Sequence, residues 1–207
     1  MQLHSSSFQD GQRIPGEYAF ALIDAPVKLS QNRNPHLAWS DAPADTQSFA
    51  LVCHDPDVPS RGDDVNQPDR TVSASLPRVD FYHWLLVDIP PTMNEIAASE
   101  FSKAVTLRGK SGPQAIHNTR QGINDYTAWF AGDRDMGGDY YGYDGPCPPW
   151  NDEIPHHYVF TLYALDIPQL SLPKGFKGAD LLKAMEGHIL AKASLTGVYS
   201  LNPAVKG

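Results

Sequence analysis

Three short runs of aliphatic, aromatic and β-branched residues, each closed by proline, set the limits on what this chain can fold into. Residues 48–53 read Ser-Phe-Ala-Leu-Val-Cys and run into Pro56, residues 82–89 stop at Pro90-Pro91, and residues 158–165 stop at Asp166-Ile167-Pro168. Runs of this length, rich in Val, Leu, Phe and Tyr and bounded by breakers, predict strands. Residues 18–23 and 197–201 are further strand candidates. With 18 Pro and 16 Gly in 207 residues, punctuation favours short strands and turns over long helices.

One helical period stands out. Over residues 179–193, Leu182, Met185 and Ile189 recur at spacings of three and four, with Asp180 in the first turn and Lys192 in the last, as the helix dipole prefers. Met185 and Ile189 are expected to pack on the core. A shorter helix is expected over residues 94–102. Residues 60–79 and 103–144 form two long connections, and loops of that length in a compact domain usually carry function or move. No repeat or linker is visible, so residues 1–207 are expected to form one domain. The fold class expected is mainly β: a two-sheet antiparallel β-sandwich with a C-terminal helix.

The balance of charge narrows the partners. A formal net charge of -8 with no Lys/Arg cluster disfavours nucleic acid and anionic lipid surfaces. An anionic ligand would need a local site. No apolar stretch approaches membrane-spanning length, so integral membrane association is not expected. Residues 1–10 carry no signal-like pattern, and Cys53 and Cys147 alone make no disulfide scaffold. A reduced, cytoplasmic protein is the expectation.

Chemistry concentrates in two segments. In Asp55-Pro56-Asp57-Val58-Pro59 each proline fixes φ and stiffens the residue before it, so the two carboxylates are held. They could orient a histidine or accept ligand donors, or serve only an Asx-type turn. His83-Trp84 lies in a strand, where the two side chains should face opposite sides and Tyr82 should join Trp84. The second segment, Gly145-Pro146-Cys147-Pro148-Pro149, is a rigid rim in which Gly145 allows close backbone approach. It leads to His156-His157-Tyr158, where His156 and Tyr158 share one face and His157 takes the other. A histidine and a tyrosine hydroxyl beside a rigid rim could hold an anion, or form a plain turn and strand edge.

In order, these segments resemble the phosphatidylethanolamine-binding protein family, also called Raf kinase inhibitor-like proteins. The resemblance rests on the Asp55–Pro59 motif, His83-Trp84, Gly145 to Pro149 and the run from His156 to Phe160. Asn34-Pro35-His36-Leu37-Ala38-Trp39 and the stretch around Gly197-Val198-Tyr199 add to it and point to the bacterial branch. The resemblance implies a β-sandwich with a small cavity that binds phosphate-type anions, including phospholipid headgroups. Asp55, His83, His156 and Tyr158 would line it, Asp57 would support the loop, and Gly145, Pro146, Pro148 and Pro149 would form the rim with a backbone donor near the anion.

The chain also departs from that pattern. His157 stands where the family usually has Arg, and Trp150 to Glu153 replace a Gly-containing turn, placing two acidic residues at the expected rim. Both long loops exceed the minimal family pattern.

The function expected is binding of a small anion such as phosphate or a phosphorylated headgroup. The alternative is a phosphoester hydrolase using an Asp/His pair. No Gly-x-Ser-x-Gly elbow occurs, and Gly109-Lys110-Ser111 lacks the upstream glycine of a phosphate loop. No catalytic residue, metal or cofactor is assigned. A homodimer fits the bacterial branch, and regulation of another protein is implied only by the family name.

Overall fold

The computed structural model describes residues 1–205. Ten strands and two short helices follow in chain order: β1 (Gln2–His4), β2 (Ala21–Ile23), β3 (Val27–Leu29), β4 (Leu37–Ser40), β5 (Ser48–Pro59), β6 (Arg78–Ile89), β7 (Glu95–Ile96), β8 (Arg120–Gln121), α1 (Tyr126–Trp129), β9 (His156–Leu165), α2 (Gly178–Met185) and β10 (Ile189–Tyr199). Strands β10-β9-β5-β6-β8 form one antiparallel sheet, β1-β4-β7 a second, and β2-β3 a separate hairpin.

Alternation along β5 explains the layering. Phe49, Leu51 and Cys53 point to one face and join Leu37, Trp39 and Ile96 from the smaller sheet in the main core. Ala50 and Val52 point the other way and pack with Leu181 and Met185 of α2. The large sheet is therefore covered on both faces, by the second sheet and by α2, and its central strands read as continuous apolar runs for that reason. Among the described residues no helix is long and apolar enough to cross a membrane.

Two helix expectations change. The helical period over 179–193 ends at Met185, because Gly187 takes a φ of +80° and turns the chain. Residues from Ile189 onward pair with β9, Ile189 opposite Leu165 and Ala191 opposite Ala164, so Lys192 lies in a strand. Met185 is fully buried as expected, whereas Ile189 is 44% exposed. Sheet pairing outweighs the weak preference of a short apolar pattern. Residues 94–102 form no helix either. Ile96 pairs with Leu37, Ser99 has φ +66°, and the Asn34 side chain accepts the N–H groups of Phe101 and Ser102.

The three main strands run longer than their apolar cores suggest. β5 continues through the Asp55–Pro59 motif with a register shift between Asp55 and Val58. At this end β5 finishes where β6 and β9 begin, so antiparallel pairing brings Asp55, His83 and His156 together from three adjacent strands.

Candidate ligand-binding site

A bulge positions His83. Cys53 pairs with Trp84, but His54 pairs with Tyr82, so His83 is the extra residue. Strict alternation would send His83 and Trp84 to opposite faces; the bulge lets both face the main core. Tyr82 instead packs with the α2 side, away from Trp84. The His83 ring sits among Phe81, Tyr126 and Tyr158, with centroids 4.9, 5.6 and 5.1 Å away.

The hydrogen bonds fix its tautomer. His83 Nδ1 lies 2.7 Å from the main-chain oxygen of Asp144, and a carbonyl only accepts, so Nδ1 carries a proton. In the neutral ring Nε2 is then an acceptor, and it has no partner among the described residues. Burial lowers the His83 pKa, although Asp55 and the Asp144 carbonyl pull the other way.

Asp144 is itself held. Its carboxylate, fully buried, receives Lys110 Nζ at 2.8 Å and the amides of Asn32 and Asn124 at 2.8 Å each. Lys110 Nζ also donates to the Tyr143 carbonyl. The next residue, Gly145, gives its N–H to Asn32 Oδ1 at 2.8 Å. The Gly145 N–H is therefore already committed and is not the rim donor expected near an anion. Gly145 is required for another reason: a Cβ there would collide with the backbone of Tyr18 and Ala19. The close approach that glycine permits is to the protein's own chain.

His156 anchors a buried charge chain. Its Nδ1 is 2.6 Å from Asp55 Oδ2 and its Nε2 is 3.1 Å from Asp152 Oδ2. Asp152 in turn receives both terminal nitrogens of Arg78, at 2.6 and 3.0 Å. Burial alone would lower the His156 pKa, but Asp152 and Asp55 raise it to about 9. Burial would likewise raise Asp152, yet the bonds from His156 and Arg78 hold it below the usual carboxylate value. Asp152 is thus no exposed rim acid; it is 1% exposed and neutralised. Glu153, its neighbour, accepts the Ala74 N–H through its side chain.

Asp55, His83, Pro148, Pro149, His156 and Tyr158 line one cavity of about 200 Å³. Asp57, Gly145 and Pro146 do not line it. Asp57 accepts from the His157 N–H and Nδ1, both at 2.8 Å, which ties β5 to the start of β9, and its own N–H bonds Asp55 Oδ1 in an Asx turn. Pro146 accepts the Phe20 N–H. Tyr158 is buried, and its hydroxyl has no partner among the described residues. Within Pro146–Pro149 only Cys147 carries a backbone N–H, and it too has no partner among them. The Cys147 thiol is exposed at the cavity, yet protein crowds it, and this desolvation pushes its pKa up to about 12.

The walls are apolar. Phe20, Tyr126 and Phe130 form a three-ring cluster, with centroid spacings of 4.7, 5.6 and 5.9 Å, and Trp129 lies 54% exposed at the mouth. The Tyr126 hydroxyl donates to the Gly145 carbonyl at 2.7 Å. Sequence reasoning missed Arg78, Lys110, Tyr126 and the role of Asp144. They come from separate stretches, and no local pattern connects them to the motifs. Only Asp144, directly before Gly145, stood next to one.

The sequence and the fold are similar to those of known proteins. The family profile described as phosphatidylethanolamine-binding protein matches residues 4–200. The UPF0098 protein of Aquifex aeolicus is 31% identical over 199 residues, covering 96% of this chain and 88% of its own length. The UPF0098 protein YbhB of Escherichia coli is 30% identical over 200 residues, covering 97% and 100%. Two solved structures share the fold. The phosphatidylethanolamine-binding protein homologue CT736 of Chlamydia trachomatis has a TM-score of 0.65 at 29% identity, covering 96% of each chain. Escherichia coli YbcL, described as a new member of the mammalian family, has a TM-score of 0.68 at 25% identity, covering 96% of this chain and 97% of its own. The profile match over nearly the whole length, on a mainly β fold shared with these solved structures, means that the chain belongs to the phosphatidylethanolamine-binding protein family.

Proposed function

We propose that the protein binds a small oxyanion of the phosphate type on the floor of this cavity. The observation that carries the reading is the Tyr158 hydroxyl, buried and without a partner among the described residues, beside the ring of His83. A buried polar group left unsatisfied costs free energy that a ligand recovers. The charges around it cancel: Asp55 and Asp152 face His156 and Arg78. Protonation of His83 makes the floor net positive and turns Nε2 into a donor. Tyr158 and His83 then offer two directed donors, with the Cys147 N–H as a third at the rim. An oxyanion would enter together with one proton.

The hydrolase alternative asks His156 to act as a base. Both its nitrogens already hold protons against carboxylates, so no lone pair is left to accept one. Binding without turnover fits this arrangement better.

Calorimetry with inorganic phosphate and phosphoethanolamine, from acid to neutral pH, tests the proposal. Binding should be measurable in folded protein and should weaken in His83→Gln and Tyr158→Phe. Folded protein that takes neither ligand at any pH would overturn it, and phosphoester turnover lost in His156→Ala would favour the hydrolase.

A further inference from the structure

Two of the departures from the family pattern meet each other in space. Residues 60–77, most of the first long connection, form a strap beside the cavity, and Trp150 to Glu153 hold it there. One side chain does most of the holding. Asn151 Nδ2 donates to the carbonyls of Asp64, Arg70 and Gln67 at 2.8, 2.9 and 3.2 Å, and its Oδ1 accepts the Asn66 N–H at 2.9 Å. Asn66 answers with its own Oδ1, which accepts the Trp150 N–H at 3.0 Å. Further along, Val72 N–H bonds the Asn151 carbonyl at 3.0 Å, and Glu153 N–H bonds the Val72 carbonyl at 3.1 Å.

The strap has almost no core of its own. Across residues 60–77 only Val65 and Val72 are buried. Val72 lies at the Asp152 bridge, while Val65, 8% exposed, lines the cavity together with Gly62 and Asn66. Since few apolar contacts hold the strap, its position depends on the amide of Asn151. The same cavity is walled by the rings of Trp129, the last residue of α1, and Phe130 directly after it. Between these walls lies apolar space that a bare oxyanion on the floor leaves unused.

We infer that the strap sets ligand choice, with Val65 as the specificity-determining contact and Asn151 as the positioning residue: the cavity takes an oxyanion that carries a compact, flat apolar group, such as an aryl phosphomonoester, in preference to the bare anion. This rests on the reading of the floor given above. The apolar group would sit among Val65, Trp129 and Phe130, while Tyr158 and His83 hold the oxyanion. A bulky substituent meets the strap.

Calorimetry of inorganic phosphate and phenyl phosphate on wild type, Val65→Ala and Asn151→Ala separates the two claims. Wild type should bind phenyl phosphate more tightly than phosphate by tenfold or more. Val65→Ala should cut that ratio by roughly tenfold, the size of one lost apolar contact in a pocket. Asn151→Ala should also collapse the ratio, while leaving phosphate affinity itself nearly unchanged. Limited proteolysis within residues 60–77 should quicken in Asn151→Ala and not in Val65→Ala. If phosphate binds but the ratio is near one in wild type, or survives both substitutions, the strap does not set specificity. If neither compound binds wild type, the floor reading fails and the inference falls with it. Should Asn151→Ala not fold, Val65→Ala alone decides.

Discussion

His156 and Asp55 share a buried hydrogen bond of 2.6 Å between Nδ1 and Oδ2, made across two neighbouring strands whose motifs lie a hundred residues apart. Asp152 takes the other ring nitrogen, so the imidazole is held as a cation on both sides.

That arrangement gives stability a definite pH dependence. Burial disfavours the charge, but Asp152 and Asp55 raise the His156 pKa from the ordinary 6.5 to about 9. A raised pKa contributes stability that is complete below the unfolded-state value and is lost as pH rises through the folded one. The urea midpoint should therefore fall between pH ~7 and ~10, by an amount equivalent to about 3 kcal/mol at most. His156→Gln should lack that fall. A wild-type midpoint that stays flat across this range would contradict the charged state. His156→Ala leaves two buried carboxylates facing each other and should cost roughly 3–5 kcal/mol at neutral pH.

His83 behaves in the opposite sense. Burial lowers its pKa, so it is neutral when the cavity is empty near neutral pH. An anion that needs His83 charged must bring a proton. With sulfate, whose charge is fixed between about pH 5 and 8, affinity should fall by up to roughly tenfold per pH unit, as one coupled proton requires. His83→Gln should flatten the profile. The same calorimetry in buffers of different ionisation enthalpy should reveal proton uptake, and its absence would remove His83 from the binding step.

Gly145→Ala tests the rim. The added methyl would meet the backbone of Tyr18 and Ala19, which cannot swing aside like a side chain. Overpacking of this kind costs roughly 1–3 kcal/mol or more. A lowered thermal midpoint without any ligand present is the expected result. Unchanged stability with lost ligand binding would return Gly145 to the role of a ligand contact.

Cys147 should react slowly despite being exposed. With its pKa pushed up to about 12, the native protein carries roughly a thousandfold less thiolate than a free cysteine would at neutral pH. Iodoacetamide should label it far faster in urea than in buffer. Equal rates would mean the thiol is not desolvated.

Much of this protein is legible in its sequence. The apolar runs ended by proline mark β5, β6 and β9, because short β-branched and aromatic segments gain most as sheet strands. The two motifs fix which strands carry the polar residues, and the alternation at His156, His157 and Tyr158 assigns their faces correctly, since side chains in a regular strand alternate. Tertiary structure decided the rest. Pairing with β9 cut the helix at Met185 and made Ile189 to Tyr199 a strand, a gain no local period can weigh. The bulge turned His83 onto the face of Trp84, and a register shift depends on the partner strand. The charges were settled last: Arg78 and Lys110 reach Asp152 and Asp144 from distant segments, and that closure neutralises Asp152 of the expected acidic rim and holds Asp144, whose carbonyl fixes the proton on His83.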